Sequence, residues 1–145
     1  MSIEFAIPGR PQHQVRHRDR AGGRGKYDPC RRAKRQFALL ARWWAPPVPL
    51  AGPLQVDMVF YFARPKSHYR TGRYAGQVKA TAPLFHTSRP DRDNLEKFVL
   101  DALAGLFWTN DARVCDGRSR KLYGDPPRTV VTITVLPEAG DERWA

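Results

Sequence analysis

Apolar and polar residues alternate in several stretches of the chain, and apolar residues recur at helical spacing in two others. Ile3, Phe5 and Ile7 alternate with Ser2, Glu4 and Ala6 ahead of Pro8-Gly9, which predicts a short opening strand. Leu54, Val56, Met58, Phe60 and Phe62 alternate with Gln55, Asp57, Val59 and Tyr61. This is the clearest strand pattern, and it is expected at or near the centre of a sheet. A weaker strand is expected near 113–123 and a stronger one at 129–136, where Val131, Ile133 and Val135 alternate with Thr132 and Thr134. Ala33, Phe37, Leu40, Ala41 and Trp44 predict a helix capped by Asp28, opened by Pro29 and stopped by APPVP at 45–49. Arg31, Arg32, Lys34, Arg35 and Arg42 fall largely off its apolar stripe, giving it a cationic face. A second helix is expected from about 92 to 106, with Leu95, Phe98, Val99, Ala102, Leu103 and Leu106 on one side and Lys97 and Asp101 away from it.

That order predicts a single domain over residues 1–145, of α/β (α+β) class, with a mixed sheet of about four strands covered by two main helices. The segment 10–26 lacks apolar periodicity and mixes Arg, His and Gly, so it is expected to be exposed and mobile until something binds. The fold class alone assigns no activity.

Charge narrows the possibilities. The chain carries 25 Lys and Arg against 14 Asp and Glu, a formal charge of +11 that attracts polyanions, nucleic acid foremost. Residues 64–89 hold six Lys or Arg, no acid, and the aromatics Tyr69, Tyr74 and Phe85, a mixture suited to phosphate contacts and base stacking, though also to a solvated loop. Lys66, Arg70, Arg73, Lys79 and Arg89 are the candidate DNA-binding residues there. Cys30 and Cys115 have no metal-ligand spacing or partner His cluster, and no apolar run is long enough to span a bilayer. A cytoplasmic protein without a membrane segment is expected. His13 and His17 suit backbone or phosphate contact better than zinc, and RAGGRGK lacks the spacing of a nucleotide-binding loop, so no nucleotide cofactor is expected. Trp43, Trp44 and Trp108 fit core or dimer anchors.

Five of the 14 acids, Asp91, Asp93, Glu96, Asp101 and Asp111, lie between 91 and 111. Two readings fit them. Asp93 and Glu96 resemble a capping box, and Lys97 and Asp101 an exposed i, i+4 pair. Alternatively, Asp91 and Asp93 converge with the Lys97 amine on one helix end, and a tight turn returns Asp111 to them. Three carboxylates would then form a hard-oxygen site of the kind Mg²⁺ accepts.

The run RPDRDNLEKFVLDAL, followed by GLFWTNDARV, resembles the RusA family of Holliday junction resolvases. The likeness is dense over 89–124. It is looser at IPGRP (7–11), at the basic positions Arg16 and Arg18, and at Tyr27-Asp28-Pro29. The resemblance implies a homodimeric, Mg²⁺-dependent endonuclease, with Mn²⁺ as a possible substitute, that cuts four-way DNA junctions in recombination and repair. It implies Asp91, Asp93 and Asp111 as metal ligands, Lys97 as a catalytic amine, Asp101 in a supporting role, and Arg16 and Arg18 among the DNA contacts. The sequence departs from the family at Asn110, where an acid is usual. A non-catalytic nucleic-acid binder and a metal-dependent nuclease for other branched DNA are the competing readings.

Overall fold

The nine-residue strand at Leu54–Phe62 organises the sheet in the computed structural model, which describes residues 1–140. In chain order the elements are β1 (Ser2–Pro8), a ribbon of β2 (Arg18–Asp19) and β3 (Lys26–Tyr27), α1 (Arg31–Ala41), β4 (Leu54–Phe62), α2 (Arg92–Leu103), β5 (Val114–Asp116), β6 (Ser119–Tyr123) and β7 (Arg128–Val135). On one side β4 pairs antiparallel with β7, which in turn pairs antiparallel with β1. On its other side β4 pairs parallel with β5 and β6. The central placement of β4 thus agrees with its sequence pattern, and the sheet is mixed.

The expected alternation sets the two faces. Leu54, Val56, Met58, Phe60 and Phe62 are buried and lie in register with Val131 and Ile133 of β7, which lie in register with Phe5 and Ile3 of β1. Onto this face α1 contributes Phe37 and Ala41, and α2 contributes Leu95, Phe98, Val99, Ala102 and Leu103. Phe37 meets Phe98 edge-to-face at 5.7 Å. Both helices cover the same face, giving two layers around one core. Burying each such side chain is worth about 1.5–3 kcal/mol, so the helix register is set chiefly by this stripe.

The sheet has five strands rather than about four, and the segment expected to be exposed and mobile is largely exposed but carries most of a separate two-stranded ribbon, Arg18–Asp19 with Lys26–Tyr27. The weakly patterned region 113–123 divides at Gly117. There φ is +149°, and a Cβ would lie 2.0 Å from the Val56 carbonyl oxygen, so only glycine allows the chain to pass this close to β4.

Helix boundaries also shift. Asp28 accepts the backbone N–H of Cys30 at 2.9 Å and closes a turn ahead of the helix, so α1 begins at Arg31 rather than at Pro29. At the end of α2, Ala104 leaves the helical region and Gly105 takes φ +82°, ending the helix at Leu103 rather than near 106. Of the tryptophans, Trp108 is fully buried and Trp44 stacks on Phe5, while Trp43 stands exposed. Among the described residues no helix is long and apolar enough to cross a membrane.

Candidate active site

Pro90 is buried, and the chain leaves it extended through Asp91 into the first turn of α2. Asp91 occupies the N-cap position, where a carboxylate would ordinarily accept an N–H of the first turn. Its side chain makes no such bond, and only its main-chain oxygen is used, by the Leu95 N–H at 3.2 Å. The Asp93 carboxylate accepts the adjacent Asn94 N–H at 2.9 Å, and Glu96 pairs with Arg92 at 3.4 Å. The capping box is therefore not formed. Both aspartates stay exposed at a helix end whose partial positive charge favours them.

Arg10, His13, Arg89, Pro90, Asp91 and Asn94 line a hollow of about 190 Å³. Liquid water takes about 30 Å³ per molecule, so there is room for a hydrated ion or a phosphate group. The N-terminal segment is held against this end of α2 by the Gln14 N–H, which donates to the Asn94 carbonyl at 2.9 Å. From the sheet, the Lys121 amine of β6 donates to the Ser88 carbonyl at 2.5 Å. Burial pushes the Lys121 pKa down, and the nearby Asp91 charge acts in the opposite direction. His86 stacks on Phe62 at 3.9 Å, and its Nδ1 is buried without a partner. Burial first, then Lys121 and Arg10, push its pKa down.

Lys97 goes elsewhere. Its amine lies 3.7 Å from Asp101, one turn further along α2, so it does not converge with the aspartates as the sequence suggested. Asp101 is held more closely by Lys34, at 3.0 Å, and the same amine lies 2.5 Å from Asp28. Burial would raise the Asp28 pKa, but hydrogen bonds from Lys34, Gln14 and the Cys30 N–H outweigh it and bring the pKa down to about 2. Lys34, expected on the cationic face of α1, instead turns inward and joins the Asp28 turn, α1 and α2. Asp101 thus takes part in a tie between α1 and α2.

Asp111 lies at the other end of α2. Its carboxylate accepts the indole N–H of buried Trp108 at 3.0 Å, and Asn110 caps the following turn by accepting the Ala112 N–H. An amide does that as well as an acid, which gives Asn110 a structural role.

Two rulers separate Asp111 from Asp91 and Asp93. The 12 residues of α2 rise about 18 Å. Along β4, Val114, three residues past Asp111, sits beside Leu54, whereas Lys121, near Asp91, sits beside Phe60; six residues of strand span about 20 Å. Among the described residues no three His, Cys, Asp or Glu side chains come together as a metal-binding group. The expected convergence of all three aspartates does not occur within one chain, because the helix between them runs away from its own first turn.

Arg16, Arg18, Lys66, Arg70, Arg73, Lys79 and Arg89 are all exposed, and among the described residues none pairs with a carboxylate. The segment 64–89 is folded back on itself, with Lys79 N–H donating to His68 O and Arg70 N–H to Gln77 O, and it is tied to β6 by Tyr123 N–H donating to Leu84 O. Of its aromatics, Tyr69 is tied to Asp125 through its hydroxyl and Tyr74 carries the Arg70 guanidinium 3.9 Å from its ring centre, while Phe85 is more than half exposed.

The sequence reading missed Lys121, Arg10 and the Asp28–Lys34–Asp101 tie. Lys121 sits in a weakly patterned strand whose inward face was not legible, and the tie joins positions 67 residues apart.

Comparison with known proteins bears on this arrangement. The chain is 34% identical over 136 residues to the uncharacterized protein YqaN of Bacillus subtilis (strain 168), spanning 90% of this chain and 94% of that one. The profile of the family described as endodeoxyribonuclease RusA matches residues 8–134, from the end of β1 to the last residues of β7. The chain belongs to the RusA endodeoxyribonuclease family.

Proposed function

We propose that the chain is a Mg²⁺-dependent endonuclease that binds four-way DNA junctions as a homodimer and makes paired nicks. The observation that carries this reading is the exposed pair Asp91 and Asp93 at the start of α2, with no capping box formed, where Arg10 and Arg89 line a hollow with Asp91 and Lys121 lies near it. A protein that only coats DNA gains nothing from exposed carboxylates in the path of phosphates.

The donor set fits magnesium in part. Mg²⁺ is commonly held by one or two carboxylates, with water and substrate phosphate completing its shell, and Asp91 and Asp93 match that requirement. When bound, the ion supplies a Lewis acid for the phosphate oxygens and a water of lowered pKa. Hydrolysis joins the water oxygen to phosphorus and breaks the bond to the 3′ oxygen, which leaves as a hydroxyl. Arg89 and Arg10 grip phosphates beside the scissile one, and Arg16, Arg18, Lys66, Arg70, Arg73 and Lys79 extend the cationic track. Lys97 is exposed and lies farther from Asp101 than Lys34 does, so it can swing from that pairing toward an incoming strand.

If Asp111 is a third ligand, as the family resemblance implies, it enters from a second copy of the chain, since one chain holds it a helix length away. A two-fold pair then presents two equivalent composite sites to a substrate of near two-fold symmetry.

Labelled four-way junction, linear duplex and flap DNA, each with and without Mg²⁺, test this reading. Paired nicks in the junction alone, and only with metal, are expected. Preference for the flap would replace the substrate, and absence of cutting on every DNA would leave a binding protein. Asp93→Asn is expected to abolish cutting and preserve or tighten junction binding; cutting at the wild-type rate would remove Asp93 from the metal site.

A further inference from the structure

We infer that Lys121 is a phosphate-contacting residue of the site that begins at Asp91, an inference that rests on the nuclease reading above. In the parallel register Lys121 lies beside Phe60, between Ser119 beside Met58 and Tyr123 beside Phe62. Partners in register point to the same side of a sheet, so Lys121 projects to the helix-covered face, where β4 is otherwise apolar. Arg120 projects to the opposite face, beside Val59 and Thr132. A half-buried lysine on an apolar face carries its charge where solvation is reduced, which is costly unless something uses it. Among the described residues no carboxylate lies within ion-pair distance of it, and its fixed partner is one neutral carbonyl, that of Ser88.

That bond consumes one of three ammonium donors. It also joins β6 to the turn that delivers Arg89, Pro90 and Asp91 to α2, and the Phe85–Leu122 bridge and the His86 N–H bond to the Lys121 carbonyl hold the same junction. The bond to Ser88 places the ammonium at a carbonyl three residues before Asp91 along the chain, close enough to feel the Asp91 charge, with two donors left over. A phosphodiester brought to Asp91 and Asp93 would offer them anionic oxygens, replacing the missing counter-charge. Lys121 then binds the phosphate and stabilises the charge that develops on it as water attacks.

The test uses Lys121→Met, Lys121→Arg and the wild-type protein. Single-turnover cutting of a four-way junction in Mg²⁺ is expected to slow on the order of 10²-fold in Lys121→Met, the loss typical of removing one preorganised donor. Lys121→Arg is expected to retain part of the rate, and thermal melting identifies any loss caused by misfolding. Independently, lysines of the wild type are reductively ¹³C-dimethylated, which keeps their charge, and the Lys121 signal is assigned from its absence in Lys121→Arg. Adding junction DNA in EDTA is expected to shift that signal. If the wild type cuts and Lys121→Met cuts equally fast, the Lys121 inference is overturned while the nuclease reading stands. If no DNA is cut, the nuclease reading is lost and the signal decides alone: an unmoved Lys121 resonance overturns the contact.

Discussion

Asp93→Asn and Asp111→Asn should each be inactive alone yet recover activity when combined in one dimer. Two oxygens on the same Mg²⁺ lie within about 4 Å of each other, given ligand distances near 2.0–2.1 Å. The helix ruler of about 18 Å and the strand ruler of about 20 Å exceed that several-fold. If Asp111 is a ligand, each site takes Asp93 from one copy and Asp111 from the other. A dimer of one Asp93→Asn and one Asp111→Asn chain then has one site with both changes and one with neither. Co-expression in equal amounts makes about half the dimers mixed, so about a quarter of all sites are intact. Asn at 111 keeps an oxygen for the Trp108 indole, so the turn survives the change. The assay is junction cutting by the unfractionated co-expressed mixture. About a quarter of wild-type nicking is expected, as single rather than paired nicks. A mixture as inactive as its parents would refute the composite site, and wild-type cutting by Asp111→Asn alone would remove Asp111 from the metal shell.

Other consequences are simpler to read. Replacing Arg70 and Lys79 together by Ala should weaken junction binding and flatten the dependence of log affinity on log salt by about 1.8, at about 0.9 per duplex phosphate contact; an unchanged slope would exclude both from the interface. Gly117→Ala should cost about 1–3 kcal/mol, a melting decrease of roughly 3–10 °C, since the new methyl meets the Val56 carbonyl and cannot rotate away. A wild-type melting temperature would show that this approach is not tight. Asp28 has its pKa lowered from 3.8 to about 2, so its contribution to stability is complete above the higher value and is lost as pH falls through the lower. Lys34 is shifted upward from 10.5, so its contribution is complete below that value and fades as pH rises past it. Urea titrations of Asp28→Asn should therefore lack part of the wild-type loss between pH 4 and 2; parallel curves would mean the tie is not stabilising.

The layers of the fold were readable because burial imposes a period. The strand at 54–62 and the stripe Leu95, Phe98, Val99, Ala102, Leu103 are each fixed by one face meeting one core, and that constraint is visible residue by residue. The fifth strand was hidden because β5 has three residues, too few for alternation to register, and because Gly117 interrupts the segment containing β5 and β6. Lys34 misled for a related reason: its position on α1 is polar, and helical phase cannot reveal that Asp28 and Asp101 bury it with partners.

The site was legible as a motif but not as a geometry. From RPDRDNLEKF one can read two carboxylates at a helix start, and the structure keeps them there without a capping box. The interval from Asp93 to Asp111 looks short along the chain, but it is mostly helix, and a helix carries its ends apart at about 1.5 Å per residue. Returning Asp111 would need a second element of similar length running back, whereas the chain turns at Gly105, anchors Trp108 beside Leu50 and enters β5 at the start of β4. It reaches the level of Asp91 again only at Lys121. The residue that comes back to the aspartates within one chain is therefore a cation. Among the described residues Lys121 reaches this end of α2 without an ion pair of its own, so its charge stays available to a phosphate that arrives at Asp91 with a divalent ion.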